Sequence, residues 1–213
     1  MKNVSLSEYD TLVFDCDGVV LNSNQVKTQA FFDVTKQYGL EAANKLVEYH
    51  VLHGGVSRYK KFEYFIQVIL KKEIKKEELD RLLQLFAQTV RKGLLACDVA
   101  EELDTLREQT KGTRWLIVSG GDQKELRDIF ELRKIASFFD GGIFGSPDNK
   151  ELILRREEAK GNIKGKGLFL GDSQYDYQAA VQAKMDFVFI SKWSEWGMPR
   201  PVLDSVPSLK DLL

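Results

Sequence analysis

Five short apolar, β-favouring runs constrain this chain most: "TLVF" (11–14), "RWLIVSGG" (114–121), "GGIFGSP" (141–147), "GLFLGDS" (167–173) and "FVFI" (187–190). Runs this short and this apolar, ended by Gly, Ser or Asp, suit parallel strands buried on both faces. Helical spacing marks 100–110, 122–135, 150–160 and 173–184, as in Leu126, Ile129, Phe130 and Leu132. Alternating strands and helices predict an α/β fold: a Rossmann-like, doubly wound parallel sheet with right-handed crossovers.

Residues 22–95 break the alternation. They hold no strand pattern and read as four helices, at about 24–38, 41–52, 57–71 and 76–92. Glycines in "KQYGL" and "HGGVS" are stop signals, and Ser57 is placed to cap the third helix. The expected organisation is a catalytic core built from 1–21 and 96–213, with an all-helical insertion at 22–95.

Open parallel sheets bind ligands beyond the carboxyl ends of their strands. Here those ends carry Asp15 and Asp17, Ser119 to Gly121, the stretch leading to Lys150, and Gly171 to Asp176. Four segments distant in sequence are thus expected at one edge. Asp15, Asp17, Asp172 and Asp176 in one cleft repel one another, by roughly 4 kcal/mol per pair at 4 Å and an effective dielectric near 20. Oxygen donors without His or Cys select a hard divalent cation, so the expected cofactor is Mg²⁺. With a phosphate monoester bound, Mg²⁺ and Lys150 still leave about three negative charges uncompensated. One carboxyl is therefore expected to be protonated, which suits a general acid.

The remaining groups fit phosphoryl transfer. Lys150 neutralises charge on phosphoryl oxygens. Ser119 and the amides of Gly120 and Gly121 precede a helix N-terminus, a seat for an anion. Asp15 is placed to attack phosphorus, and Asp17 to protonate the leaving oxygen and then activate water.

"FDCDGVV", Ser119 in "LIVSGG", Lys150 in "GSPDNK" and "GDSQYD" resemble, in order, the four motifs of the haloacid dehalogenase superfamily of phosphohydrolases. The resemblance spans the chain and is nearest to the branch holding phosphoglycolate phosphatase and β-phosphoglucomutase. It implies that the helical insertion is a cap domain and that Asp15 forms a phosphoaspartate. It further implies that Asp17 lends its backbone carbonyl to the metal, Asp172 ligates Mg²⁺, and Asp176 supports the metal or the lysine. An aspartate at the second position of the first motif implies phosphate-ester chemistry.

Plainer readings exist for each feature. As a calcium loop, the first motif fails, because Val19, Val20 and Val26 stand where that loop needs ligands and a glycine. Ser119 also suits a helix cap, and Asp176 the charge of a helix N-terminus. In the insertion, "HGGVSRYKKF" loosely resembles a substrate-specificity loop, and Arg58, Lys61 and His53 are the expected substrate contacts. Trp193 and Trp196 either fringe the cleft or pack on the sheet edge. Cys16 reads as a space-filler.

The expected function is hydrolysis of a small phosphorylated metabolite, a sugar phosphate being the leading class. A phosphomutase and a catalytically idle binding module are the alternatives. Net charge is −1, so no global attraction to nucleic acid or anionic membrane is expected. The start "MKNVSLSEYD" lacks the apolar core of a signal peptide, and two cysteines offer no disulfide framework. A cytoplasmic monomer or weak homodimer is the expectation.

Overall fold

The computed structural model describes residues 4–196 and 204–213. Six parallel strands form one sheet: β1 (Thr11–Phe14), β2 (Arg114–Asp122), β3 (Gly142–Ser146), β4 (Gly167–Gly171), β5 (Asp186–Ile190) and β6 (Ser205–Val206), in the order β3-β2-β1-β4-β5-β6. The five expected strands are present. The sixth escaped the sequence reading because two residues carry no period.

Alternation along each strand builds two cores. Leu12, Phe14, Trp115, Ile117, Leu168 and Leu170 face one side. Val13, Leu116, Val118 and Phe169 face the other, under Ile153 and Leu154 of α7 (Lys150–Ala159) and Ala179 and Ala180 of α8 (Gln174–Gln182). On the first side lie Leu106 of α5 (Leu103–Gln109) and Leu126, Ile129 and Phe130 of α6 (Gln123–Leu132). The sheet is covered on both faces, the Rossmann-like arrangement the alternation predicts.

Between β1 and β2 lie α1 (Asn24–Thr35), α2 (Leu40–Leu52), α3 (Arg58–Tyr64) and α4 (Lys76–Ala96), with no strand element. Ser57 caps α3, its hydroxyl accepting from Lys60 N. Gly39, at φ +110°, makes the stop before α2. The expected third helix does not run unbroken to about 71. It widens to a π-helix at Phe65–Ile69 and ends where Lys71 turns left-handed, because the polar residues beyond have no apolar face to bury. Phe31, Phe62 and Phe86 form an aromatic centre continuous with the larger core. The chain enters and leaves this segment side by side, with Asn22 N donating to Asp98 O (2.9 Å) and Ala100 N to Val20 O (2.9 Å). No helix among the described residues is long and apolar enough to cross a membrane.

Candidate active site

Strand register assembles the site. Phe14 pairs with Ile117 on one side and Leu170 on the other, so β1, β2 and β4 end level. Strand order reverses between β1 and β4, the switch point where open α/β sheets leave a crevice. Asp15 and Asp172 flank it.

Lys150, the first residue of α7, is fully buried. Its Nζ lies 3.0 Å from Asp15 Oδ1 and 2.5 Å from Asp176 Oδ1. Asn149 caps α7 by accepting from Leu152 N at 2.8 Å, which fixes where the lysine starts. The other oxygen of Asp176 belongs to the capping box of α8, accepting from Ser173 Oγ (2.6 Å) and Ser173 N (3.0 Å). Asp176 therefore serves as anchor for Lys150 and as helix cap together. Asp172 Oδ2 accepts from Asn24 Nδ2 at 2.7 Å. One oxygen each from Asp15, Asp172 and Asp176 lie within 4.8 Å of one another, all three residues buried.

Electrostatics divide these acids. Burial, and then the neighbouring Asp176, push Asp15 up to about 7 against the pull of Lys150. Burial, and then Asp15, push Asp172 well above the usual carboxylate range. Asp17 goes the other way. Burial works against its charge, but Lys27 Nζ at 2.5 Å and Ser23 Oγ at 2.6 Å outweigh it and hold the carboxyl below the usual range. Asp17 has Lys27 to itself, whereas Asp15 shares Lys150 with Asp176, and Asp172 has only the Asn24 amide on its carboxylate. Asp15 Oδ1 is buried with no well-aligned hydrogen bond. An all-oxygen, charge-strained pair at Asp15 and Asp172 fits a hard divalent cation. The carboxylate of Asp17 stands apart, tied to Lys27.

Ser119 is buried, its Oγ accepting from Gly121 N at 3.0 Å, in a bulge where β2 slips register against β3. Gly120 and Gly121 line the cleft. A Cβ at Gly120 would sit 1.9 Å from Gly55 O, so only glycine admits the backbone of the α2–α3 turn here. Gly18, at φ +76°, is equally confined, by Asp172 Oδ2 at 2.0 Å from a built Cβ.

The helical segment forms the opposite wall. Arg58 lines the cleft, but its guanidinium forks onto both carboxylate oxygens of Glu125 on α6. Tyr59 Oη donates to Asp122 at 2.7 Å beside it. Lys61 lines the cleft, its Nζ 2.6 Å from His50 Nδ1. His53 does not line it, since its ring stacks on Tyr49. The sequence reading passed over Lys27, His50, Asn24 and Glu195, all of which line the cleft. Only Asn24 carries a local signal, as a polar residue at a helix start. Trp196 also lines the cleft, and Trp193 offers its carbonyl to Asn24 at 2.9 Å. Residues 197–199 of "KWSEWGMP" lie outside the described residues.

A curated relative, the enolase-phosphatase E1 of Fusarium vanettenii, is 26% identical over 207 residues, covering 84% of each chain. Among solved structures, one described as a predicted phosphoglycolate phosphatase from Haemophilus somnus superposes with a TM-score of 0.72 at 18% identity, covering 94% of this chain and 95% of that one. A β-phosphoglucomutase from Clostridium difficile gives 0.68 at 16% identity, covering 87% and 86%. At these identities the two structures show the shared fold. The profile of one family matches residues 12–190, from β1 through β5. The chain belongs to the haloacid dehalogenase-like hydrolases.

Proposed function

We propose that this hydrolase is a Mg²⁺-dependent phosphatase that cleaves a small phosphorylated metabolite through a phosphoaspartate on Asp15. The observation that carries the reading is Lys150 Nζ held between Asp15 (3.0 Å) and Asp176 (2.5 Å) at the sheet's switch point. An ammonium fixed there neutralises phosphoryl oxygens beside the nucleophile. Asp15, Asp172 and the backbone carbonyl of Asp17 would hold the metal, whose charge offsets that of the phosphoryl oxygens when bound.

Asp15 attacks phosphorus and the ester P–O bond breaks. The negative charge of the bound phosphoryl group favours the protonated form of Asp17, which gives its proton to the leaving oxygen. Asp17 then removes a proton from water, the water oxygen attacks phosphorus, and the P–O bond to Asp15 breaks to release phosphate. Ser119 and the Gly120 amide position the phosphoryl group at the end of β2. Helices α1 to α4 act as the cap, excluding bulk water and selecting the substrate.

Phosphate release from phenyl phosphate, abolished by chelation and restored by Mg²⁺, tests this reading. A wild-type protein silent toward every phosphate monoester would overturn it. An isomerised sugar phosphate as product, in place of free phosphate, would turn it into a mutase.

A further inference from the structure

The cap-side wall of the cleft holds three buried cations, and two already have carboxylates. Lys27 is bonded to Asp17 and Arg58 to Glu125. Lys61 is 2% exposed and lines the cleft, yet no carboxylate lies within 4.0 Å of its Nζ among the described residues. Its partner is the neutral ring of His50, at 2.6 Å, with the His50 carbonyl at 3.5 Å. Asp17 and then Glu195 are the acids that favour its charge from further off; Asp17 is bonded to Lys27, and Thr28 Oγ1 donates to Glu195 at 3.1 Å.

His50 repeats the pattern. It is 8% exposed, lines the same cleft, and its Nε2 is buried with no hydrogen-bond partner. When Lys61 Nζ donates to His50 Nδ1, the tautomer leaves a hydrogen on Nε2. The pair then offers donors only: Nε2–H and the remaining hydrogens of the ammonium. Buried donors without acceptors cost free energy, and a buried ammonium without a counter-charge costs more. Phe31 encloses both, its ring centroid 4.6 Å from that of His50 and 5.7 Å from Lys61 Nζ. Among the described residues none accepts from His50 Nε2, and no carboxylate reaches Lys61.

We infer that His50 and Lys61 form a second anion subsite, and that the substrate carries a carboxylate besides its phosphoryl group. This deepens the phosphatase reading and rests on it. A carboxylate matches the single unpaired cation, whereas a second phosphate would bring about two charges. The lowered proton affinity of the Lys61 amine is the same deficit seen as titration, since burial and Lys27 destabilise its charge.

The test needs no turnover. In Mg²⁺ buffer the full chain is titrated calorimetrically with phosphonoacetate and with isobutylphosphonate, which replaces the carboxylate by an apolar group of similar shape. The wild type is expected to prefer phosphonoacetate by roughly 10- to 100-fold, the range for hydrogen bonds to a charged group. Lys61→Met is expected to erase that preference, with isobutylphosphonate affinity moving less than about threefold. His50→Phe retains the ring against Phe31, removes both nitrogens, and is expected to lower the preference as well. Cooperative thermal melting establishes that each variant is folded. Equal wild-type affinities, a preference that survives in folded Lys61→Met, or tighter binding of methylene diphosphonate overturns the inference. Phenyl phosphate hydrolysis reports separately on the phosphatase reading.

Discussion

Two buried lysines stand on opposite sides of the site, Lys150 bonded to the cleft residue Asp15 and Lys61 lining the cleft itself, and the protein treats them differently. Lys150, on the sheet side, has Asp15 and Asp176 as partners, and their charges outweigh its burial and raise its proton affinity. Lys61, on the helical side, has a neutral histidine, and burial followed by Lys27 lowers it to about 7. The difference separates an amine whose counter-charges are built in from one whose counter-charge must arrive. The sheet side is thus assembled before any ligand binds, while the helical side is completed by the ligand.

The largest test of this contrast strikes the sheet side. Asp15→Asn keeps the shape and removes the proposed nucleophile, so phosphate release should fall on the order of 10⁴-fold or more. The fold should persist, with a melting temperature at or above wild type, because burial and Asp176 already disfavour a charge at Asp15. Steady-state rates beside thermal melts read both. A rate near wild type would remove Asp15 from the chemistry.

Lys150→Met comes next. It leaves Asp15 and Asp176 buried without their cation, and breaking such a pair from one side costs about 3–5 kcal/mol. Turnover should fall roughly 10²- to 10³-fold, the range for losing one charge-stabilising donor. Urea unfolding and phenyl phosphate assays check the two effects. If Lys150→Met were as stable as wild type, the built-in account of the sheet side would fail.

That sheet side is also the part legible in the sequence. Strand ends are marked by short apolar runs, and level register in a parallel sheet brings Asp15, Ser119 and Asp172 together whatever fills the loops. The helical side is harder to read, because periodicity assigns a residue to a helix face without saying what that face meets. His50 and His53 show this. They are three residues apart, but α2 ends at Leu52, and the backbone of His53 (φ −114°, ψ 51°) turns its ring onto Tyr49. His50, one turn earlier, keeps the helix direction into the cleft. Arg58 was legible as a cleft residue, but its pairing with Glu125 joins segments 67 residues apart, and no local pattern records that. Lys27 is hidden for the same reason, a lysine in the first turn of a helix being ordinarily solvated.

The Arg58–Glu125 pair gives a smaller test, at the seam between the two sides. Glu125→Gln leaves a buried guanidinium with one acceptor in place of a carboxylate, and should cost about 1–3 kcal/mol. It also sets Arg58 free to face the cleft. If two cations then stand on that wall, affinity for methylene diphosphonate should rise relative to phosphonoacetate. An unchanged ratio would mean that Arg58 is held by more than Glu125.

The smallest effect is a slope. An unfolded chain carries Lys61 at its ordinary amine value of 10.5, while the folded chain holds it at about 7. Between these values the unfolded state binds more protons, so this group makes stability rise with pH, by at most about 1.4 kcal/mol per pH unit. Below about pH 7 the amine is charged in both states and its full cost persists. Lys27 and Lys150 push the amine down, and Asp17 and Glu195 push it up, so the slope belongs to the whole cluster. Lys61→Met removes one member and should be more stable than wild type at pH 7, the gap narrowing through pH 8 and 9. Urea unfolding of both proteins at the three pH values measures it, and parallel profiles would show that the amine is not starved of counter-charge. Repeating the series with phosphonoacetate sharpens the comparison, because a bound carboxylate should make Lys61 behave as Lys150 does and flatten the wild-type slope.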